Sequence, residues 1–262
     1  MYMLELNNVT ISYTNQPAVC NFHLTLGQGE ICSIVGESGS GKTTVVRAIL
    51  GLLSGGGQVT EGEIRFEGKP LLSNTKEEWR KLRGTDISMI FQDSGAMTNQ
   101  TRTIGKQFVE YIRTHERISR KDAWDKGVHM LERMCLPNGD NIMKSYPFQL
   151  SGGMRQRVGI AMSMTFRPKL LLADEPTSAL DVTTQAQIVR QMMELRNEYK
   201  TSMLVVTHNL GVAAYMSDQI VVMKNGKIVD AGSRDDILYR SESEYTRNLL
   251  NAVPSLGGVR YV

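Results

Sequence analysis

The sequence predicts an α/β fold: a mostly parallel sheet flanked by helices, an N-terminal antiparallel β subdomain and an inserted α-helical subdomain. Three observations carry this expectation. The N-terminal stretch reads as short strands separated by polar turns, the middle of the chain is helical with almost no strand signal, and after Leu150 apolar strands alternate with helices.

The elements follow in order. "MLELNNVTISY" and "VCNFHLTL" read as strands, and "EICSIVG", after the turn "GQGE", is a short apolar run ending in glycine, as expected of a buried strand that feeds a loop. "KTTVVRAILGLL" has helical spacing and runs into the stop signal "SGGG". "GEIRFEG" and "DISMIFQ" are further strands. From roughly Thr103 to Lys144 the texture changes to helical stretches, "IGKQFVEYIRTHE" and "RKDAWDKGVHMLERMCL", the signature of a subdomain inserted into the α/β core. The alternation then resumes: helix "GGMRQRVGIAMSMTF", strand "KLLLAD", helix "VTTQAQIVRQMMELRNEY", strand "SMLVVTH", a short helix, and strand "QIVVMKNG". "SESEYTRNLLNAV" is a last amphipathic helix.

Composition narrows the function classes. At 262 residues, 41% hydrophobic and 22% charged, the chain is an ordinary globular domain with no apolar run of the roughly 18 residues that a membrane span requires. Its start, "MYMLELNNVT", lacks the pattern of a signal peptide, so a cytosolic location is expected. Cys20, Cys32 and Cys135 form no C-x-x-C pair, which suggests neither a disulfide framework nor a zinc site. A net charge of +3, evenly spread, does not point to nucleic acid.

Two motifs carry chemistry. Gly36, Gly41, Lys42 and Thr43 satisfy G-x-x-x-x-G-K-[ST] between an apolar strand and a helix, which is the context the mechanism needs. Glycines let backbone N–H groups wrap phosphate oxygens at the start of a helix, where the dipole also favours anions. Lys42 is the expected contact to the β- and γ-phosphates of a nucleoside triphosphate, and Thr43 an expected ligand of Mg²⁺. "LLLADEP" then ends an apolar strand in Asp174 and Glu175. The aspartate suits Mg²⁺ and the glutamate suits orientation of an attacking water, although paired carboxylates after a strand also serve as a solvated turn or helix cap. The core is thus expected to be of the P-loop NTPase kind.

The Gly36 loop, "LSGGM", "LLLADEPTSALD" and "VVTHN", in this order and at these separations, resemble the nucleotide-binding subunit of an ATP-binding cassette (ABC) transporter over nearly the whole chain. The resemblance implies a role for each matching residue. Ser38, Gly39, Ser40 and Thr44 complete the phosphate loop; Tyr13 matches the aromatic that stacks on adenine. Gln92 matches the glutamine that reaches Mg²⁺ and the attacking water and links the site to the helical subdomain. His208 matches the switch histidine on the γ-phosphate, and Asp181 the aspartate that communicates across a dimer. Ser151, Gly152 and Gly153 cap the nucleotide of a partner subunit, so two helix ends sandwich one ATP. His23, His115 and His129 lie in no motif.

The same resemblance implies a division of 1–262, a single ABC ATPase domain: 1–92 and about 165–240 as ATP-binding core, about 93–164 as helical subdomain with the signature motif, 241–262 as tail. It implies ATP and Mg²⁺, a second ABC ATPase subunit, related or identical, two separate membrane permeases and, indirectly, an extracellular solute-binding protein, with the chain on the cytoplasmic face of the membrane. "SYPFQLSGGMRQRVGIAM", with Met154 after the signature, and "EYTRNLLNAVPSL" resemble the oligopeptide, dipeptide and nickel importers of bacteria and their D-type ATPase. Two departures stand out. "DSGAMTNQ" after Gln92 lacks both prolines usual in that branch, and the sequence stops at Val262 without a cysteine- and proline-containing tail, which mildly favours nickel or metal chelates over oligopeptides. Met162, Met164, Met192 and Met193 lie on helical patterns and read as core filler. The competing readings are a soluble ABC ATPase of DNA repair or translation, disfavoured by the lack of a second cassette, coiled-coil insertion or basic arms, and a module that closes on ATP without turnover, disfavoured by Glu175.

Overall fold

A bulge decides how the first strand, β1 (Leu4–Tyr13), is laid down. Its buried residues Leu4, Leu6, Val9 and Ile11 switch from even to odd positions, so a regular strand cannot hold them on one face. The register breaks between Leu6 and Val9, and Asn8 adopts φ 50°, which returns the later pair to the buried side. The computed structural model describes residues 2–14, 16–92, 98–178, 180–252, 255–256 and 259–260, and they form two compact units, 1–77 with 200–262, and 78–199.

In the first unit, β1 pairs antiparallel with β2 (Gln16–Leu26) on one side. The fully buried β3 (Ile31–Val35) then leads through a glycine loop into α1 (Lys42–Ile49). β4 (Gly57–Phe66) pairs with the other side of β1, and the short β5 (Lys69–Pro70) extends that antiparallel sheet in the order β2-β1-β4-β5. The N-terminal antiparallel subdomain is therefore present. α2 (Lys76–Leu82) carries the chain into the second unit; none of its residues is fully buried.

The second unit opens with β6 (Ile87–Ile90), buried throughout. α3 (Ile104–His115) is capped by Thr103, which accepts from the Lys106 N–H, and buries Ile104, Phe108 and Ile112 at four-residue spacing. α4 (Arg120–Arg133) is capped by Ser119 and buries Ala123, Gly127, Met130 and Leu131. After α5 (Gly139–Lys144) come α6 (Gly152–Met164), β7 (Leu170–Asp174) and α7 (Val182–Tyr199). β6 and β7 run parallel with Ile90 opposite Ala173. His115 is a packing residue, edge-on to Tyr111 and Phe166; burial, then the nearby Arg80, holds its pKa below the ordinary histidine value. Met164 and Met192 are buried, and Met162 and Met193 half-buried, within these helices.

The chain returns to the first unit with β8 (Ser202–Thr207), α8 (Leu210–Met216), β9 (Gln219–Lys224) and β10 (Lys227–Ser233). β3 lies between β8 and β9, parallel to both, as sequentially distant strands joined by helical crossovers do. β10 is antiparallel to β9 because only the tight turn Asn225–Gly226 joins them, with both residues at positive φ. β3, β8 and most of β9 are buried and mainly apolar, with Ser33 at the centre of β3, and each fully buried Ile or Val contributes roughly 1.5–3 kcal/mol relative to exposure. α9 (Arg234–Tyr239) and α10 (Glu244–Asn251) follow, and Leu250 of α10 is buried with Val35, Leu210 and Ile237. β11 (Ser255–Leu256) and β12 (Val259–Arg260) form a final two-stranded pair. No helix among the described residues is long and apolar enough to cross a membrane.

Candidate functional site

The phosphate loop is shaped from behind by strand β9 and its turn. Gly36 has φ 149°, and a Cβ there would lie 2.1 Å from the Met223 carbonyl oxygen, so only glycine fits. One turn further on, the Gly226 N–H donates to the Ser40 carbonyl at 3.1 Å, while the Gly226 carbonyl accepts from the Cys20 N–H at 2.8 Å. The protein's own backbone thus fixes the curvature of the loop.

α1 begins after Gly41, at φ 99°, which has no side chain with which to cap the turn, and no acidic residue occupies the first turn. A helix start of this kind accommodates an anion through its dipole and N–H groups. Lys42 is only 5% exposed, and its Nζ donates to the carbonyls of Gly36 (2.8 Å) and Glu37 (2.7 Å) and to Ser40 Oγ (3.4 Å). A phosphate oxygen placed beside this ammonium would accept a charge-assisted hydrogen bond from it. Ser38 and Gly39 are exposed on the loop, and Thr43 and Thr44 are half-buried in the first turn of α1.

His208 follows β8 and comes to the same place. With Gly36, Glu37 and Asn209 it lines a cavity of about 350 Å³, closed on its apolar side by Val35 and Leu210 and by Leu249 of α10. Asn209 caps α8, accepting from the N–H groups of Gly211 and Val212, which fixes the backbone next to His208. Tyr13 ends β1 opposite Gly57, and its ring fills the space that a side chain at Gly57 would need.

The second unit holds the other candidates. Because β6 and β7 are parallel neighbours, Gln92 and the pair Asp174–Glu175 emerge from the same edge. Gln92 is exposed, Asp174 is 4% exposed, and Glu175 is half-buried with φ 47°, a left-handed backbone unusual for a residue with a Cβ. Most of "DSGAMTNQ", 93–97, lies outside the described residues. Ser151 caps α6 by accepting from the Met154 N–H at 3.3 Å, and Gly152 and Gly153 form its first turn. A Cβ at Gly153 would meet the Thr184 methyl at 2.9 Å, so the start of α6 rests on the first turn of α7. That turn is organised by Asp181, whose carboxylate accepts from the Thr184 N–H at 2.9 Å and the Thr184 hydroxyl at 2.7 Å. The Thr184 bonds hold the Asp181 carboxyl below the usual carboxylate range. Among the described residues no three His, Cys, Asp or Glu gather to hold a metal ion by themselves. In the first unit Thr43 carries a hydroxyl oxygen, and in the second Gln92 and Asp174 carry amide and carboxylate oxygens; each is a hard donor of the kind magnesium prefers.

Sequence reasoning missed four contributors. Met223 and Gly226 shape the phosphate loop from "VVMKNG", a stretch read only as a strand and its end. Tyr245 of α10 accepts a hydrogen bond from the Glu37 N–H at 3.3 Å, and the Lys224 ammonium lies 4.5 Å from its ring centroid. Burial pushes the Tyr245 phenol pKa up. Gln156, on α6, donates from Nε2 to the Pro176 carbonyl at 2.6 Å. The sequence offers only a glutamine two places beyond Met154, on the stretch read as a helix.

Comparison with known proteins gives the family and the fold. Residues 19–178 match the family model described as "ABC transporter". The chain is 40% identical over 261 residues to the oligopeptide transport ATP-binding protein AppD of Bacillus subtilis (strain 168), an alignment covering 98% of this chain and 80% of that one. It is 42% identical over 259 residues to the dipeptide transport ATP-binding protein DppD of the same organism, covering 97% and 77%. Among solved structures it is similar to the dimeric, post-hydrolysis ATP-binding cassette MJ0796 bound to ADP and Pi. That similarity has a TM-score of 0.78 at 29% identity and covers 88% of this chain and 99% of that one.

Proposed function

The chain belongs to the ABC transporter family and is an ABC ATPase; from that premise we propose that it powers a bacterial importer of dipeptides or oligopeptides, working on the cytoplasmic face of the membrane with two separate permeases, a second ATPase subunit and an extracellular solute-binding protein. The observation that carries the reading is the loop from Gly36 to Thr44, held in shape by β9 and leading into a helix start with no side-chain cap, where Lys42 is buried against the loop carbonyls. The names of the relatives favour peptides over nickel or other metal chelates.

In this reading 1–262 acts as one ATPase domain, with 1–92 and about 165–240 as its core, about 93–164 as the helical part and 241–262 as a tail. Ser38, Gly39, Ser40, Gly41 and Thr44 supply loop donors to the phosphates. Lys42 exchanges its carbonyl partners for β- and γ-phosphate oxygens. Thr43, Gln92 and Asp174 hold Mg²⁺, which neutralises charge on the phosphates. Glu175 orients the attacking water, His208 contacts the γ-phosphate, and Tyr13 stacks on the adenine. Ser151, Gly152 and Gly153 bring the start of α6 to a nucleotide held by the partner subunit, and Asp181 links the two sites. Two helix ends on one ATP make nucleotide affinity differ between open and closed dimers, and that difference lets ATP drive a conformational cycle.

Cells that depend on this chain test the reading. With Glu175→Gln in place of the wild type, uptake of labelled di- and oligopeptides should cease while nickel uptake is unchanged, and the purified variant should bind ATP but hydrolyse it at least about a hundredfold more slowly. Loss of nickel uptake with peptide uptake intact would reverse the substrate assignment.

A further inference from the structure

We propose that Gln156 is a positioning residue for hydrolysis: it ties the signature helix α6 to the peptide that follows Glu175, so that the helix end facing one nucleotide and the carboxylate serving another are held as one body. The inference rests on the roles given above to Glu175 and Ser151.

The local chain needs such a tie. Glu175 sits at φ 47°, in the left-handed region that residues with a Cβ occupy only when the surroundings hold them there. Its own carbonyl is held from within the turn, by the Ser178 N–H at 3.2 Å and the Ser178 hydroxyl at 3.1 Å. The next carbonyl, that of Pro176, is held from α6 by Gln156 Nε2 at 2.6 Å. Gln156 is 7% exposed and Pro176 is buried, so the bond is shielded from water, and its loss deprives a buried carbonyl of a close partner. α7 adds a second hold, from Gln185 Nε2 to Thr177 Oγ1 at 2.8 Å.

The far end of α6 makes the tie mechanical. Ser151 caps the same helix, and Gly153 rests against Thr184. On the adjoining face Arg157 donates to the carbonyl of Met134 at 3.2 Å and to Gln187 Oε1 at 2.6 Å, so α6 is gripped as a rigid rod. A displacement of α6 is passed to the peptide after Glu175 through the bond from Gln156 to the Pro176 carbonyl.

The test uses the full-length ATPase and three variants. Gln156→Met keeps the shape and removes the donor. Its kcat should fall about 10–100-fold, the loss expected of a small misplacement of a catalytic group, while the Kd for ATP stays within about twofold. Gln156→Glu presents a carboxylate to the Pro176 carbonyl at neutral pH and regains an O–H donor on protonation. The ratio of its kcat to that of the wild type should therefore rise as pH falls. A folded Gln156→Met with kcat within about twofold of wild type overturns the proposal, as do equal losses of kcat and ATP affinity with a pH-independent Gln156→Glu ratio. Glu175→Gln runs alongside. Should it hydrolyse ATP at the wild-type rate, the role of Glu175 fails and the proposal with it; should it be inactive while Gln156→Met is normal, only the proposal fails.

Discussion

The backbone N–H of Gly226 donates to the carbonyl of Ser40 at 3.1 Å, so a hairpin turn late in the chain holds the phosphate loop near its start. The turn is pinned in its own right, because the Gly226 carbonyl accepts from Cys20 in β2. Loop curvature here is a product of strand order: β9 lies beside β3, from which the loop departs.

Gly226→Ala should be strongly destabilising. The residue has φ 75°, and a Cβ would lie 2.4 Å from the Ala18 carbonyl oxygen. A loss of about 2–4 kcal/mol is expected, seen as a fall in melting temperature of about 5–10 °C, together with weaker ATP binding. An unchanged melting temperature would show that the turn relaxes without cost.

Tyr245→Phe removes the acceptor for the Glu37 N–H and keeps the ring under Lys224. Glu37 also accepts from Lys42 through its carbonyl, so the ATP KM should rise about two- to fivefold, as one modest hydrogen bond allows. Steady-state kinetics with Tyr245→Ala as the companion decides between the contributions. Phenylalanine equal to tyrosine, with alanine defective, would assign the effect to ring packing.

Asp181 should make the stability of α7 pH-dependent in one direction. Its folded pKa is depressed by the Thr184 bonds, so the stabilisation is present in full above the unfolded carboxylate pKa and is lost as pH falls through the folded value. Asp181→Ala should therefore melt below wild type at neutral pH, and the two melting temperatures should converge in acid. A gap that persists below the folded pKa would refute the capping account.

Mixing two inactive chains tests whether sites are shared. Lys42→Ala disables a chain's own phosphate loop and Ser151→Ala its contribution to a partner. If the chain pairs with itself head to tail, a mixture contains dimers with one intact composite site, and ATPase activity should reappear that neither variant has alone. No recovery on mixing, with dimers present, would place Ser151 and Lys42 at the same chain's nucleotide.

How much the sequence disclosed follows from how local each feature is. The phosphate loop was legible because its function needs consecutive residues between one strand and one helix, and the pattern from Gly36 to Thr43 specifies both glycine conformations and the lysine at once. The buried strands β3, β7 and β8 were legible as short, mainly apolar runs, whereas the β1 bulge, where the buried positions change parity between Leu6 and Val9, was not read from "MLELNNVTISY". α2, by contrast, left no periodic signal, because a helix with no fully buried residue has no apolar face to reveal it.

What the sequence determined by itself is the chemistry: a phosphate loop, paired carboxylates after a strand, and a second glycine-led helix start at Ser151. Only the tertiary structure decided what holds those groups in place. Gly226 is far from Ser40 along the chain, as Tyr245 is from Glu37, and Gln156 reaches Pro176 from a different element. Such partners are chosen by strand order and helix packing, and each bond uses a backbone group that nearly every residue carries, so it leaves no mark in the identity of the residue that supplies that group.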